Sequence, residues 1–320
     1  MNELAVFFHY GTIASIVAIN SLGVGIGEGL ASSAALDAIN LQPNSKYEIS
    51  RTAILGMALI ETAAIMGVTI SFILLLGTRN TAYPLCAGIA DLGIALAISL
   101  PGFAIGIVSA LPAREACLAI ARQPFFAQRI LRFMLLTQSI NQTPIVFGFI
   151  IAMFINTQAA SCTNLIASIR LLATGICIGV GSIGPSIGLA LFSRRACQGL
   201  GINRKAYNKL FSFTLISNAI IETPIIFALI IALMILFITD ISNATAIKGI
   251  SLLSAAICMG IGTISVGISS GITAAAACHQ IAKKPELHSI LSRVSMFSQG
   301  LIDTFAIYAL LIAILLILIP

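Results

Sequence analysis

Four positions in this chain could carry acid–base or cation chemistry, and they recur at a single spacing. Glu61, Gln142, Glu222 and Asp303 lie 81, 80 and 81 residues apart, and threonine follows each as Thr62, Thr143, Thr223 and Thr304. The flanking segments match in register: Leu59-Ile-Glu-Thr62, Ile140-Asn-Gln-Thr-Pro144, Ile220-Ile-Glu-Thr-Pro224 and Leu301-Ile-Asp-Thr304. Three of the four are acids; Gln142 cannot ionise. The run from Ala53 to Gly77 holds one charge, Glu61, near its middle. About 20 apolar residues span a bilayer. A bare carboxylate there is costly and reads as a functional site that a proton or a cation must neutralise.

The elements that position these groups are legible from composition. The 320 residues are 58% hydrophobic and 9% charged, with a mean hydropathy of +1.06. That excludes a soluble domain and points to an all-α, multi-pass membrane protein. Each repeat reads as a long small-residue helix, a polar basic loop, a helix with the key residue near its middle and a short turn. The expected pairs are about 11–40 and 50–77, 87–121 and 128–156, 165–197 and 206–239, and 247–282 and 289–319. The repeats divide as 1–80, 81–160, 161–242 and 243–320. Two helices per repeat is an even number, so all four hairpins enter the membrane in one orientation. That disfavours the inverted repeats common in transporters and suits an array or ring whose faces need neighbours.

The net charge of +6 does not mark a nucleic-acid surface. Fourteen of the seventeen Lys and Arg residues flank the four loops near Lys46, Arg122, Arg204 and Lys283, leaving Arg79, Arg170 and Lys248 at the opposite ends. The positive-inside rule places the basic loops in the cytoplasm and both termini across the membrane. Asp91 reads as a solvated end charge, and Arg114, Glu115, Arg194 and Arg195 as interfacial anchors. The seven cysteines are scattered singly and read as small packing residues. His9, His279 and His288 have no partner spacing, so no metal site is expected. The N-terminus lacks the basic stretch of a signal peptide.

The first helix of each pair carries small residues at every second position. Gly23, Gly25, Gly27 and Gly29 correspond to Ala104, Gly106, Val108 and Ala110, to Gly184, Ser186, Gly188 and Ala190, and to Ser265, Gly267, Ser269 and Gly271. Alternate small residues make two close-packing faces about 200° apart on a helix. A helix gripped tightly on both sides is what an inner ring requires.

Together these features resemble the ion-translocating proteolipid (c) subunit of rotary ATP synthases. That family has a Gly-x-Gly-x-Gly first helix, an Ala-Arg-Gln-Pro loop and an acid midway along its second helix. Here the loop stands as Ala121-Arg-Gln-Pro124; the fourth repeat has Ala282-Lys-Lys-Pro285, the first keeps Gln42-Pro43, and the third has lost it. The motifs are F-type, while fusion of hairpins in one chain is more typical of V-type and archaeal proteolipids. The resemblance implies a rotor-ring subunit with no catalytic residue and no cofactor beyond the transported ion. Its acids are neutralised while facing lipid and released at a stator subunit with an essential Arg, and rotation couples this to ATP synthesis or hydrolysis. The loops, including Gln42, Arg122, Gln123 and Lys283, would meet the central stalk. Three chains forming a twelve-hairpin ring are expected, in a bacterial inner membrane or an organellar energy-transducing membrane. A stand-alone proton or cation channel or secondary carrier using the same acids is the alternative.

By that resemblance Glu61, Glu222 and Asp303 carry the ion, and the Gln142 hairpin carries none. Sodium-binding relatives place an oxygen on the first helix 33 residues before the acid and a hydroxyl after it. The first position is Glu28, Ser109, Leu189 and Ser270 here. Glu28 with Thr62 would suit Na⁺ in the first hairpin, and Ser270, Thr304 and Tyr308 form a weaker set in the fourth. Leu189 leaves only Thr223 and backbone beside Glu222. One ring uses one ion, so the expectation is H⁺. Pro144 and Pro224 free the carbonyls of Ile140 and Ile220, as ligands or, by preference, as simple kinks.

Overall fold

The computed structural model describes residues 2–77, 84–160, 162, 164–238 and 246–319. Among the described residues, eight helices are long and apolar enough to cross a membrane: α1 (Glu3–Leu41), α2 (Pro43–Leu76), α3 (Leu85–Arg122), α4 (Pro124–Ala159), α5 (Leu165–Ile202), α6 (Arg204–Leu236), α7 (Ala246–Lys283) and α8 (Pro285–Leu318). The chain is therefore an integral, multi-pass, all-helical membrane protein. Lipid leaves no alternative partner for backbone groups, so apolar runs of this length become helices.

The helices run further than the hydropathy suggests. A 38-residue helix is about 57 Å long, well beyond a hydrocarbon core of about 30 Å. The expected polar loops shrink to corners. One non-helical residue, Gln42, Gln123, Asn203 or Lys284, separates each pair, and a single 3₁₀ turn opens the second helix. Pro43, Pro124 and Pro285 start three of those turns, where a fixed φ and a missing N–H cost nothing. In the third corner Asn203 accepts the Lys205 amide instead, at 3.0 Å. Arg122 and Lys283 are exposed at these corners.

The helices form two layers. The inner helices α1, α3, α5 and α7 lie side by side. Among the outer helices, α2, α4 and α6 each cover the seam between two inner ones, and α8 rests on α7 and α6. The alternating small residues explain the inner seams. A methyl group on Gly23 would sit 2.7 Å from the Phe103 carbonyl oxygen, and one on Gly27 would overlap the carbonyl of Gly106. Gly184 and Gly188 meet Ile264 and Gly267 in the same manner. These pairs climb together, as they do between helices running the same way. Gly25 and Gly29, by contrast, meet nothing within 4 Å. The row is open at α1 and again at α7–α8.

Several polar groups sit where the sequence reading does not place them. Asp91 is no solvated end charge: it is 1% exposed, and its Oδ2 lies 2.7 Å from His9 Nδ1. His9 thus has a partner one repeat away, on the neighbouring inner helix. Glu115 is also buried, and Arg194 donates to it across the α3–α5 seam at 3.0 Å, so this pair ties hairpins together. Asn20 is buried in space that Gly67 and Gly102 leave open. At the end remote from the corners, Arg170 donates to the carbonyls of Leu236 (2.9 Å) and Ile238 (2.8 Å). Lys248 donates to that of Ile317 at 2.7 Å. Both cations close the C-termini of outer helices, whose last carbonyls have no partner within the helix. All seven cysteines are free.

Candidate ion-binding site

Of the four key positions, Gln142 and Glu222 bond across seams between outer helices, and Gln142 shows how a seam is closed. Gln142 is buried; its Oε1 accepts from Thr62 Oγ1 at 2.9 Å, and its Nε2 donates to Ser109 Oγ at 3.1 Å. One turn nearer the corner, Gln138 Nε2 donates to the carbonyls of Gly56 (2.8 Å) and Ser109 (3.1 Å). The amide of Gln142 is therefore held at both ends by neutral partners. It needs no ion to remain in an apolar setting.

The third position uses the same geometry with an acid. Thr143 Oγ1 donates to Glu222 Oε1 at 2.8 Å, while Leu189, wholly buried, holds the inner-helix position. Thr62 and Thr143 thus each serve the key residue of the following hairpin. This corrects the sequence expectation, which set Thr62 beside Glu61 and Thr223 beside Glu222. Successive side chains on a helix point about 100° apart, so the residue after the acid faces the next seam. Thr223 instead donates to Ala219 O of its own helix at 3.2 Å, and Thr304 to Leu301 O at 2.6 Å.

The end hairpins have incomplete seams. Glu28 on α1 and Glu61 on α2 interact electrostatically, and Glu61 is exposed. In the fourth hairpin Ser270 Oγ lies 3.4 Å from Gln299 Oε1, and Gln299 Nε2 donates to Ser295 Oγ at 3.0 Å. Asp303 Oδ1 has no partner among the described residues. Tyr308 is 61% exposed on the outside of α8, edge-on to Phe305, and is not brought into a site.

The helix bearing the neutral residue is locally loosened. α4 breaks at Asn141 and Gln142, just before Pro144. The Ile140 carbonyl, freed by Pro144, lies 2.8 Å from Thr143 Oγ1 and competes with Glu222 for that hydroxyl's one hydrogen. α6 continues through Pro224.

Sequence reasoning missed Thr143 as a partner of Glu222, because its own hairpin carries the non-ionising residue. It also missed the amides one turn before the key residue: Gln138, Asn218 and Gln299 stand there, with Met57 in the first repeat. Their recurrence at one register was the available signal. Replacing Thr143 with valine is expected to change the carbodiimide labelling rate of Glu222 about tenfold, since a hydrogen bond to a charged group contributes about 1.5–3 kcal/mol. Asp303 serves as the control in the same digest. Equal labelling of Glu222 in both proteins would mean that the silent hairpin contributes nothing to its neighbour.

Comparison with known proteins places these hairpins. The family model for the ATP synthase C subunit matches residues 12–74, 172–235 and 253–316, three segments that together exceed half the chain. The repeat carrying Gln142 is not among them. The K subunit of the A-type ATP synthase of Methanocaldococcus jannaschii is 29% identical over 231 residues, which is 71% of this chain and 94% of that one. Shorter relatives align over about one repeat. The ATP synthase c subunit of Dehalococcoides mccartyi is 37% identical over 70 residues, 22% of this chain and 92% of its own. The ATP synthase c subunit 2 of Cereibacter sphaeroides is 44% identical over 68 residues, 21% of this chain and 82% of its own.

Proposed function

The chain belongs to the ATP synthase C-subunit family, and on that premise we propose that it is the non-catalytic rotor subunit through which ion flow is coupled to ATP synthesis or hydrolysis. Each hairpin is one unit of the rotor. Glu61, Glu222 and Asp303 carry the ion, and the Gln142 hairpin carries none. The observation that carries this reading is the matched pair of seams, Thr62–Gln142 and Thr143–Glu222, at 2.9 and 2.8 Å. Equivalent seams take a permanently neutral amide in one hairpin and an acid in the next, each met by a threonine hydroxyl, and the acid matches the amide only once neutralised.

The ion is a proton. A dehydrated cation needs several oxygens in place of its water shell, and Glu222 faces the Thr143 hydroxyl with Leu189 behind it. One observation favours sodium in the first hairpin, the contact between Glu28 and Glu61. Two adjacent carboxylates share a proton or a cation.

The open edges support a ring. Gly25 and Gly29 offer a small-residue face on α1, and Ser265 and Ser269 stand exposed on α7. Joining them repeats the existing seams and sets Thr304 of one copy beside Glu61 of the next. Three copies make twelve hairpins. A stator subunit with an Arg would receive the charge, the exposed corners at Arg122 and Lys283 would meet a central stalk, and lipid would cover the outer layer. The basic corners face the cytoplasm by the positive-inside rule.

Carbodiimide labelling at several pH values, with and without Na⁺, tests this. The reagent attacks protonated carboxyls in apolar surroundings. Labelling of Glu61, Glu222 and Asp303 that tracks pH and ignores Na⁺ is expected. Suppression by Na⁺ would make sodium the carried ion. No labelling at any of the three would overturn the rotor reading.

A further inference from the structure

We infer that Asn218 is a positioning residue of the Glu222 site, its amide taking the place that Leu189 leaves without a polar group. This deepens the rotor reading and rests on it. Asn218 is 1% exposed, and neither its Oδ1 nor its Nδ2 has a partner among the described residues. A buried, unpaired amide costs about 1–3 kcal/mol per polar atom, so in an apolar layer it signals a partner that comes and goes. Asn218 precedes Glu222 by four residues on the unbroken helix Tyr207–Leu236, which sets the two side chains on one face about 6 Å apart.

The sister hairpins show what a residue at this register reaches. Gln138 donates to Ser109, the same side chain that holds Gln142. Gln299 lies against Ser270. Ser109 and Ser270 occupy the inner-helix position that is Leu189 in the third hairpin. Where the inner helix offers a hydroxyl, the amide beneath the key residue binds it; where it offers leucine, the amide is left unpaired. The Glu222 carboxyl, one turn away on the same face, is the ionisable group within its reach. An amide both donates and accepts, so Asn218 serves the acid in its charged and its neutral form by rotating about its last torsion. The first hairpin, with Met57 beneath Glu61, has Glu28 in that role instead.

The test is the pH dependence of carbodiimide labelling, resolved residue by residue, in the intact rotor carrying Asn218→Leu or Asn218→Gln. The leucine variant is expected to displace the Glu222 midpoint by about one pH unit and leave those of Glu61 and Asp303 in place. The glutamine variant, which restores the residue type of the sister hairpins, is expected to keep it near the original value. An unmoved Glu222 midpoint in the leucine variant would overturn the inference, and so would equal displacement at all three acids, which marks a general loss of packing. Absence of labelling in the unaltered protein would instead remove the rotor reading itself, so the two failures are distinct.

Discussion

Replacing Glu222 with glutamine is expected to lower the ions moved per chain from three to two without disturbing the fold. Gln142 shows that a glutamine fits the equivalent seam, with a threonine hydroxyl 2.9 Å from its carbonyl oxygen; Thr143 can make the same bond to the new amide, with Leu189 standing where Ser109 holds the Gln142 nitrogen. What changes is the work. Each charge crossing the membrane is worth about 2.3 kcal/mol per 100 mV. With a third fewer charges per turn, the potential needed to reach a given ATP level rises by about half. The measurement is the threshold potential for ATP synthesis in vesicles holding the intact complex. An unchanged threshold would show that Glu222 carries no ion. The reverse exchange, Gln142→Glu, is expected to lower the threshold by about a quarter, as four ions then share the work of three.

The second large effect separates folding from assembly on one helix. Gly27→Leu would drive a side chain into the backbone of Gly106, forcing α1 and α3 apart. Overpacking of this kind costs about 1–3 kcal/mol even where side chains can shift, and here the obstacle is main chain, so the isolated chain itself is expected to lose thermal stability. Gly29→Leu meets nothing within 4 Å and is expected to leave the single chain as stable as before while abolishing the ring. Native mass measurement reads the second outcome and thermal unfolding the first. A ring that still forms with leucine at position 29 would show that α1 does not join copies through that face.

The repeat, the helices and the key residues were legible in the sequence because the membrane imposes them. About 20 apolar residues in a row must become a helix where no water satisfies the backbone, and an acid within such a run stands out against it. The small residues at every second position likewise announced two packed faces, because only the absence of side chains lets helices approach so closely. Local pattern alone determined those features. The tertiary structure decided which partner each polar group meets. Thr143 serves Glu222 across a seam, Asp91 finds His9 one repeat away, and Arg170 closes the end of α6. Such pairings depend on which face each helix turns to its neighbour. A step of about 100° per residue sends adjacent side chains into different seams, and only the packing of whole hairpins settles which seam that is.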